Sequence, residues 1–227
     1  MIGVFDSGDG GLSAVAEIRR IAPNADIVFF ADRQNAPYGT KTKKELIRLV
    51  CADIIKLSKA GADKILMACC TASTVHPFLP RSMQKIALPI IELAAAAGSD
   101  ATKNGRIGVI ATDYTVASGA FSKALSKHMG ITHVYEQPMQ TLVYEVESGV
   151  CDRNIKDAER ARLRRMLRPM KDKKIDTLIL GCTHFAHLER EIGNCLPNVK
   201  IINTSREGAK GIIQGLDPRG KGRTVYL

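Results

Sequence analysis

Residues 65–71 read Ile-Leu-Met-Ala-Cys-Cys-Thr, and residues 178–183 read Leu-Ile-Leu-Gly-Cys-Thr. Both are apolar runs that end in a small residue, cysteine and threonine. Apolarity on consecutive positions, without alternation, is the pattern of a parallel strand covered by helices on both faces. The strands these runs predict span residues 64–68 and 177–181, and similar runs stand at residues 2–5, 26–30, 106–111 and 199–202. Between them the period turns helical. Over residues 45–58, Leu46, Val50 and Ile54 form one stripe, with Ile47, Cys51 and Ile55 beside it. Strands alternating with helices predict an α/β fold with right-handed crossovers.

The chain also repeats itself. Ile2-Gly3-Val4-Phe5 returns as Ile107-Gly108-Val109-Ile110, followed respectively by the small polar clusters Asp6-Ser7-Gly8 and Ala111-Thr112-Asp113. Each opening precedes one of the two Cys-Thr runs by a similar distance. A period this long is not that of a solenoid. It predicts two pseudo-symmetric, open α/β lobes with largely parallel sheets, one formed by residues 1–95 with 206–227 and the other by residues 96–205. Residues 94–98 and the polar stretch 99–105 are expected to cross between the lobes, and a second crossover near residues 203–207 to return the tail to the first.

Composition excludes several classes. With 45% hydrophobic residues in 227, the chain is too apolar to remain disordered. Lys and Arg outnumber Asp and Glu by 33 to 23. Eight of the basic residues, Arg160, Arg162, Arg164, Arg165, Arg168, Lys171, Lys173 and Lys174, crowd one stretch. Aromatic residues do not interleave them and no nucleic-acid motif is present, so the stretch reads as a solvated helix face with Leu163, Met166 and Leu167 turned inward. No nucleic-acid partner is expected, although the positive field attracts small anions. A membrane span needs roughly 20 apolar residues. The best candidate, residues 86–98, is broken by Pro89 and Glu92, and the N-terminus lacks the pattern of a signal peptide. The expectation is a soluble, cytoplasmic protein with no membrane partner, its six cysteines kept as thiols.

In open α/β sheets reactive groups lie beyond the carboxyl ends of the strands. Four segments fall there: Asp6-Ser7-Gly8, Cys69-Cys70-Thr71, residues 112–115, and Cys182-Thr183-His184. If the lobes face one another, the two Cys-Thr pairs confront each other across a cleft, and two potential bases flank one small ligand. A free thiol titrates near 8.5, and neighbouring groups tune it. Asp6 ends the strand expected beside that of Cys69 and can accept or relay its proton, and His184 can do so for Cys182. Ser7, Thr71 and Thr183 can hold a carboxylate by hydrogen bonds. A zinc site from Cys69, Cys70, Cys182 and His184 is the rival reading, but vicinal cysteines suit the ion poorly, and no metal is expected. Cys51 and Cys195 read as packing residues. Cys151 follows a turn and has no partner pattern. For Cys70 three readings stay open: an inert neighbour, a redox partner of Cys69, or the accidental loss of a more useful polar residue. His76 and His187 read as structural, His128 and His133 as surface or strand-edge residues.

Taken in order, these segments resemble the glutamate racemases, in the cofactor-independent aspartate/glutamate racemase superfamily. The family's opening Asp-Ser-Gly-x-Gly-Gly-Leu stands here as residues 6–12, and its Asp before Pro-Tyr-Gly as Asp32 and Pro37-Tyr38-Gly39. Its two signatures, Ala-Cys-Asn-Thr-Ala-Ser and Leu-Gly-Cys-Thr-His, stand as residues 68–73 and 180–184. The resemblance implies a two-base racemisation of glutamate without cofactor, in which Cys69 and Cys182 work on opposite faces of the α-carbon, assisted by Asp6 and His184. It further implies that Ser7, Pro37, Tyr38, Gly39, Cys70, Thr71, Thr112, Thr115, Thr183 and an acidic residue, Glu147 or the nearby Glu145, line the substrate. A homodimer and the supply of D-glutamate for peptidoglycan are implied by the family alone. Most racemases of amino acids use the electron sink of pyridoxal phosphate. Nothing in this sequence is specific for it, so the carbanion must rely on a dry, preorganised site and concerted protonation.

The chain departs from the pattern at Cys70, where the family has asparagine, and a thiol is a weak partner for a substrate carboxylate or ammonium. Two alternatives stay open: a racemase of aspartate or another amino acid, and a non-catalytic protein that binds an acidic metabolite in a degenerate site.

Overall fold

The chain, seen in a computed structural model that describes residues 1–147, 156–215 and 220–227, folds around two parallel sheets. The first contains β1 (Ile2–Asp6), β2 (Ile27–Ala31), β3 (Lys64–Met67), β4 (Ala87–Pro89) and β9 (Thr224–Tyr226), in the order β4-β3-β1-β2-β9. The second contains β5 (Arg106–Ala111), β6 (His133–Pro138), β7 (Thr177–Gly181) and β8 (Lys200–Asn203), in the order β6-β5-β7-β8. Numbered within its own half and read from the appropriate edge, each set of four runs 4-3-1-2. Thus β5 is the counterpart of β1, and β7 that of β3. The two-lobed α/β reading of the sequence is correct.

Hydrophobic alternation on the strands decides which helices cover which face. Val4, Phe29 and Leu66 of the first sheet and Ile107, Val109 and Ile179 of the second belong to one shared core. That core is filled by α1 (Leu12–Ile21), α5 (Ile90–Ala101), α7 (Ala120–Leu125) and α11 (Thr204–Ile213). The opposite residues, Phe5, Val28 and Met67, pack under α2 (Lys43–Lys59), whereas Ile110, Leu178 and Leu180 pack under α8 (Gln140–Glu147) and α9 (Asp157–Asp172). Helices α5 and α11 approach closely because α11 carries glycines at the crossing. A Cβ on Gly208 would meet Ile90 at 2.9 Å, and one on Gly211 would meet Leu93 at 2.6 Å.

Several local expectations are corrected. Residues 94–98 and 204–207 do cross between the sheets, but as parts of the helices α5 and α11. On α2 the second buried row is Leu49, Asp53 and Leu57, while Ile55 is exposed and Ile47 and Cys51 are half-buried. A capping box, in which Thr42 and Glu45 exchange backbone and side-chain bonds, sets the helix start and therefore its rotation. On α9 the fully inward residues are Leu163, Leu167 and Met170, and Met166 is half-buried. Strand β2 starts one residue later than expected because the Asp26 carboxylate accepts N–H groups from Lys221 and Arg223. Val199 precedes β8 because its N–H closes a turn on Leu196. His133 opens β6, and His76 Nε2 lies 3.0 Å from the Ala87 carbonyl oxygen. Among the described residues, no helix is long and apolar enough to cross a membrane, and no group of three or more His, Cys, Asp and Glu side chains is placed to hold a metal ion. Cys151 and the Ser148-Gly149 pair lie outside the described residues.

Candidate active site

Strand ends deliver the candidate groups. Asp6 is the last residue of β1, and its neighbour β3 runs out into Cys69, which caps the short helix α3 (Cys70–Ser73). In the other lobe, Thr112 caps α6 (Asp113–Ser118), and Cys182 stands between β7 and the 3₁₀ turn Thr183–Leu188. Since β3 and β7 are counterparts, the two cysteines occupy equivalent positions in the two sheets.

Hydrogen bonds tie these ends together across the lobes. The Thr183 hydroxyl donates to Asp6 Oδ2 at 3.1 Å, and the Gly8 N–H donates to Oδ1 at 2.9 Å. The Thr112 hydroxyl donates to Thr115 at 2.8 Å, and Thr71 Oγ1 lies 3.1 and 3.2 Å from the two. All these threonines are buried. Ser7 Oγ lies 3.4 Å from Cys69 Sγ. His184 stands between two groups, its Nδ1 at 3.5 Å from Cys182 Sγ and its Nε2 at 3.3 Å from Glu147 Oε1. Glu145, the alternative acidic residue, instead pairs with Arg162.

Burial dominates the electrostatics. It pushes the Cys69 thiol up to about 11, with the Asp6 charge adding to the push and the Ser7 contact opposing it. Burial also raises Cys182, where the His184 backbone N–H opposes the shift and Cys69 adds to it. Cys70, which belongs to the shared core, is raised by burial most of all and then by Cys182 and Cys69. The Asp6 carboxyl is raised by burial as well, against the pull of His184, the Gly8 N–H and Thr183. Burial thus favours the neutral forms of these groups, and a cation placed beside them would favour ionisation.

The remaining sequence candidates are spread around this centre. Pro37 is exposed, and Gly39 is half-buried facing Gln140 and Tyr114 of the second lobe. The Tyr38 ring is only 1% exposed, and its hydroxyl is taken by Asp32 and Asp53. Asp53 was not among the residues singled out from the sequence. Its signal was there to read, because a carboxylate falls on the apolar stripe of α2.

From residue 11 to residue 211 the chain matches the Asp/Glu/Hydantoin racemase family. It is 38% identical to a glutamate racemase of Persephonella marina, covering all of this chain and 87% of the relative. It is also 37% identical to one of Aquifex aeolicus, over 97% of this chain and 85% of the relative. Among solved structures, a glutamate racemase of Bacillus anthracis superposes with a TM-score of 0.88 at 30% identity, over the whole of this chain and 86% of that one. A glutamate racemase of Francisella tularensis, solved in complex with D-glutamate, gives 0.81 at 28%, over 99% and 85%. With two lobes of equal strand order and sequence likeness running from end to end, the chain belongs to the Asp/Glu/Hydantoin racemase family.

Proposed function

We propose that the protein interconverts L- and D-glutamate, and that Cys69 and Cys182 exchange the α-proton from opposite faces without a cofactor. One cysteine, as thiolate, takes the α-proton. The other, as thiol, gives its proton to the opposite face of the carbanion, so each turnover exchanges the roles of the two sulfurs. The reading is carried by one observation: the two thiols follow equivalent strands of two sheets with the same strand order, and the residues beside them are joined across the lobes by the 3.1 Å bond from Thr183, next to Cys182, to Asp6, at the end of the strand beside that of Cys69.

At pH 8 a thiol that titrates near 11 is ionised in roughly one molecule in a thousand. The bound substrate changes that, because its ammonium brings a positive charge into the dry cleft beside the sulfurs. In this reading Asp6 serves Cys69, and the relay from His184 to Glu147 serves Cys182. Ser7, Cys70, Thr71, Thr112, Thr115 and Thr183 contact the substrate, and Pro37, Tyr38 and Gly39 form the wall of the cleft. The lobes that flank it are residues 1–95 with 206–227 and residues 96–205. We further assign the protein to the cytoplasm as a homodimer that supplies D-glutamate for peptidoglycan.

Each glutamate enantiomer incubated in deuterated water, followed by chiral separation and mass spectrometry, tests the reading. Deuterium should enter the α-carbon as the opposite enantiomer accumulates, from either starting side. Binding of glutamate without exchange sinks the proposal, and faster exchange of aspartate reassigns the substrate.

A further inference from the structure

The Tyr38 hydroxyl oxygen lies 2.7 Å from Asp32 Oδ2 and 2.7 Å from Asp53 Oδ2. A phenol has one hydrogen, and an ionised carboxylate can only accept. Two such short contacts on one hydroxyl therefore require a second proton on one of the carboxyl groups. Asp32 is the acceptor, since both of its oxygens already take a hydrogen bond from the Asn35 amide, at 2.9 and 3.0 Å. The second proton sits on Asp53, which is 3% exposed on the buried face of α2 beside Val50, Ile54 and Leu57.

We propose that Asp53 is a positioning residue for this site: as a neutral acid it donates to Tyr38, Tyr38 donates to Asp32, and the two bonds together pin residues 32–40 against the cleft. The proposal rests on the racemase reading and deepens it. The pinned segment has a direct connection to the site on each side. The Asp32 N–H donates to the Asp6 carbonyl at 2.9 Å, and Gly39 faces Gln140 and Tyr114 across the lobe boundary. The charges around Asp53 agree. Burial raises its carboxyl to about 7 and Asp32 adds to that, while Lys56 opposes it and a Tyr38 bond pulls it down only where the phenol donates to the ionised form. The exposed Lys56 ammonium sits over the Phe30 ring at 3.6 Å, and Cys51 on the same helix is itself pushed up by burial and by Asp53. Once Asp53 ionises, Tyr38 has one hydrogen for two anions, and one of its bonds fails. The wall of the cleft loosens, which weakens substrate binding and leaves the proton-transfer groups in place.

The test is a pH series of KM and kcat for glutamate in the parent protein, Asp53→Asn and Asp53→Leu. In the parent, KM rises about fivefold from about pH 6 to about pH 8, the worth of one buried hydrogen bond, while the Asp53 ionisation leaves kcat unchanged. Asp53→Asn keeps an N–H on Tyr38 at every pH, so its KM stays near the parent's acid value throughout. Asp53→Leu has the raised KM at every pH. If Asp53→Asn follows the parent's pH course, or Asp53→Leu matches the parent's KM at about pH 6, the proposal is overturned. Should Asp53→Leu fail to fold, the parent and Asp53→Asn still decide. An infrared difference spectrum, parent minus Asp53→Asn at about pH 6, shows the carbonyl band of a neutral carboxylic acid. Its absence overturns the proposal whatever the turnover, and a parent that exchanges no deuterium refutes the racemase reading separately.

Discussion

Gly10 allows the two lobes to touch where Cys182 is held. A Cβ at this position would stand 2.3 Å from Thr183 Oγ1 and 3.1 Å from both Cε1 and Nδ1 of His184. Ordinary contact begins near 3.4 Å, so Gly10→Ala forces a displacement of about 1 Å. Thr183 has two ways to give. Rotating its hydroxyl away abandons the bond to the buried Asp6, and shifting its backbone moves the turn that follows Cys182. His184 blocks the second side, and its Nδ1 is the atom that faces Cys182 Sγ. Overpacking or a lost buried bond each cost about 1–3 kcal/mol. For a chain of this size that lowers Tm by about 2–4 °C per kcal/mol. A misplacement of about 1 Å at the reacting groups costs on the order of a hundredfold in kcat. Polarimetric racemisation in both directions and a thermal melt measure the two effects. Gly193→Ala in α10 (Glu189–Cys195), where an added Cβ meets nothing within 4 Å, is the control, and should gain up to about 1 kcal/mol. Unaltered turnover and Tm in Gly10→Ala would show that this contact positions nothing.

Three further outcomes follow from the same geometry. Alkylation of Cys69 in the substrate-free protein, followed by peptide mass mapping, should be slow at neutral pH and accelerate about tenfold per pH unit toward 11; a plateau below about pH 9 contradicts the raised thiol. The Asp53 carboxyl is raised from 3.8 to about 7, so its contribution to stability is whole below about pH 4 and is lost as pH rises through 7. Asp53→Asn, which cannot ionise, should therefore gain on the parent in stability between about pH 5 and pH 8, by up to about 4 kcal/mol, read as a Tm that falls less with pH; equal slopes of Tm against pH in the two proteins contradict this. Cys70→Asn inserts a larger, polar side chain into the shared core, at a cost of about 1–3 kcal/mol. If the residue faces substrate, KM for glutamate falls in the same variant, and an unchanged KM assigns Cys70 to packing alone.

The sequence was most legible where strands are covered on both faces. Residues 106–111 and 177–181 are strands residue for residue, because unbroken apolar runs have one simple explanation in an α/β chain. The strand ends carrying Asp6, Cys69 and Cys182 were equally clear. Strands β4 and β9 escaped because three residues carry no periodicity, and β6 because its half-exposed, partly polar residues at a sheet edge resemble a loop. The alanines at residues 94–97 do belong to a crossing between the sheets, but its helical form, which alanine's helix propensity favours, is the part left unread. Asp53 shows a different limit. Its position on a buried stripe was readable, but its partner Tyr38 is brought to it by a loop whose path no local pattern encodes.

Helices α5 and α11 are both the joints between the halves and the filling of the space between the sheets. Excising either half would leave Val4 and Phe29, or Ile107 and Ile179, facing water, so neither half is a self-sufficient folding unit. Calorimetry should accordingly record one cooperative melt for the whole chain. Parting the sheets to admit a ligand would expose the same apolar surface, which leaves the surface loops, and not the sheets, as the door.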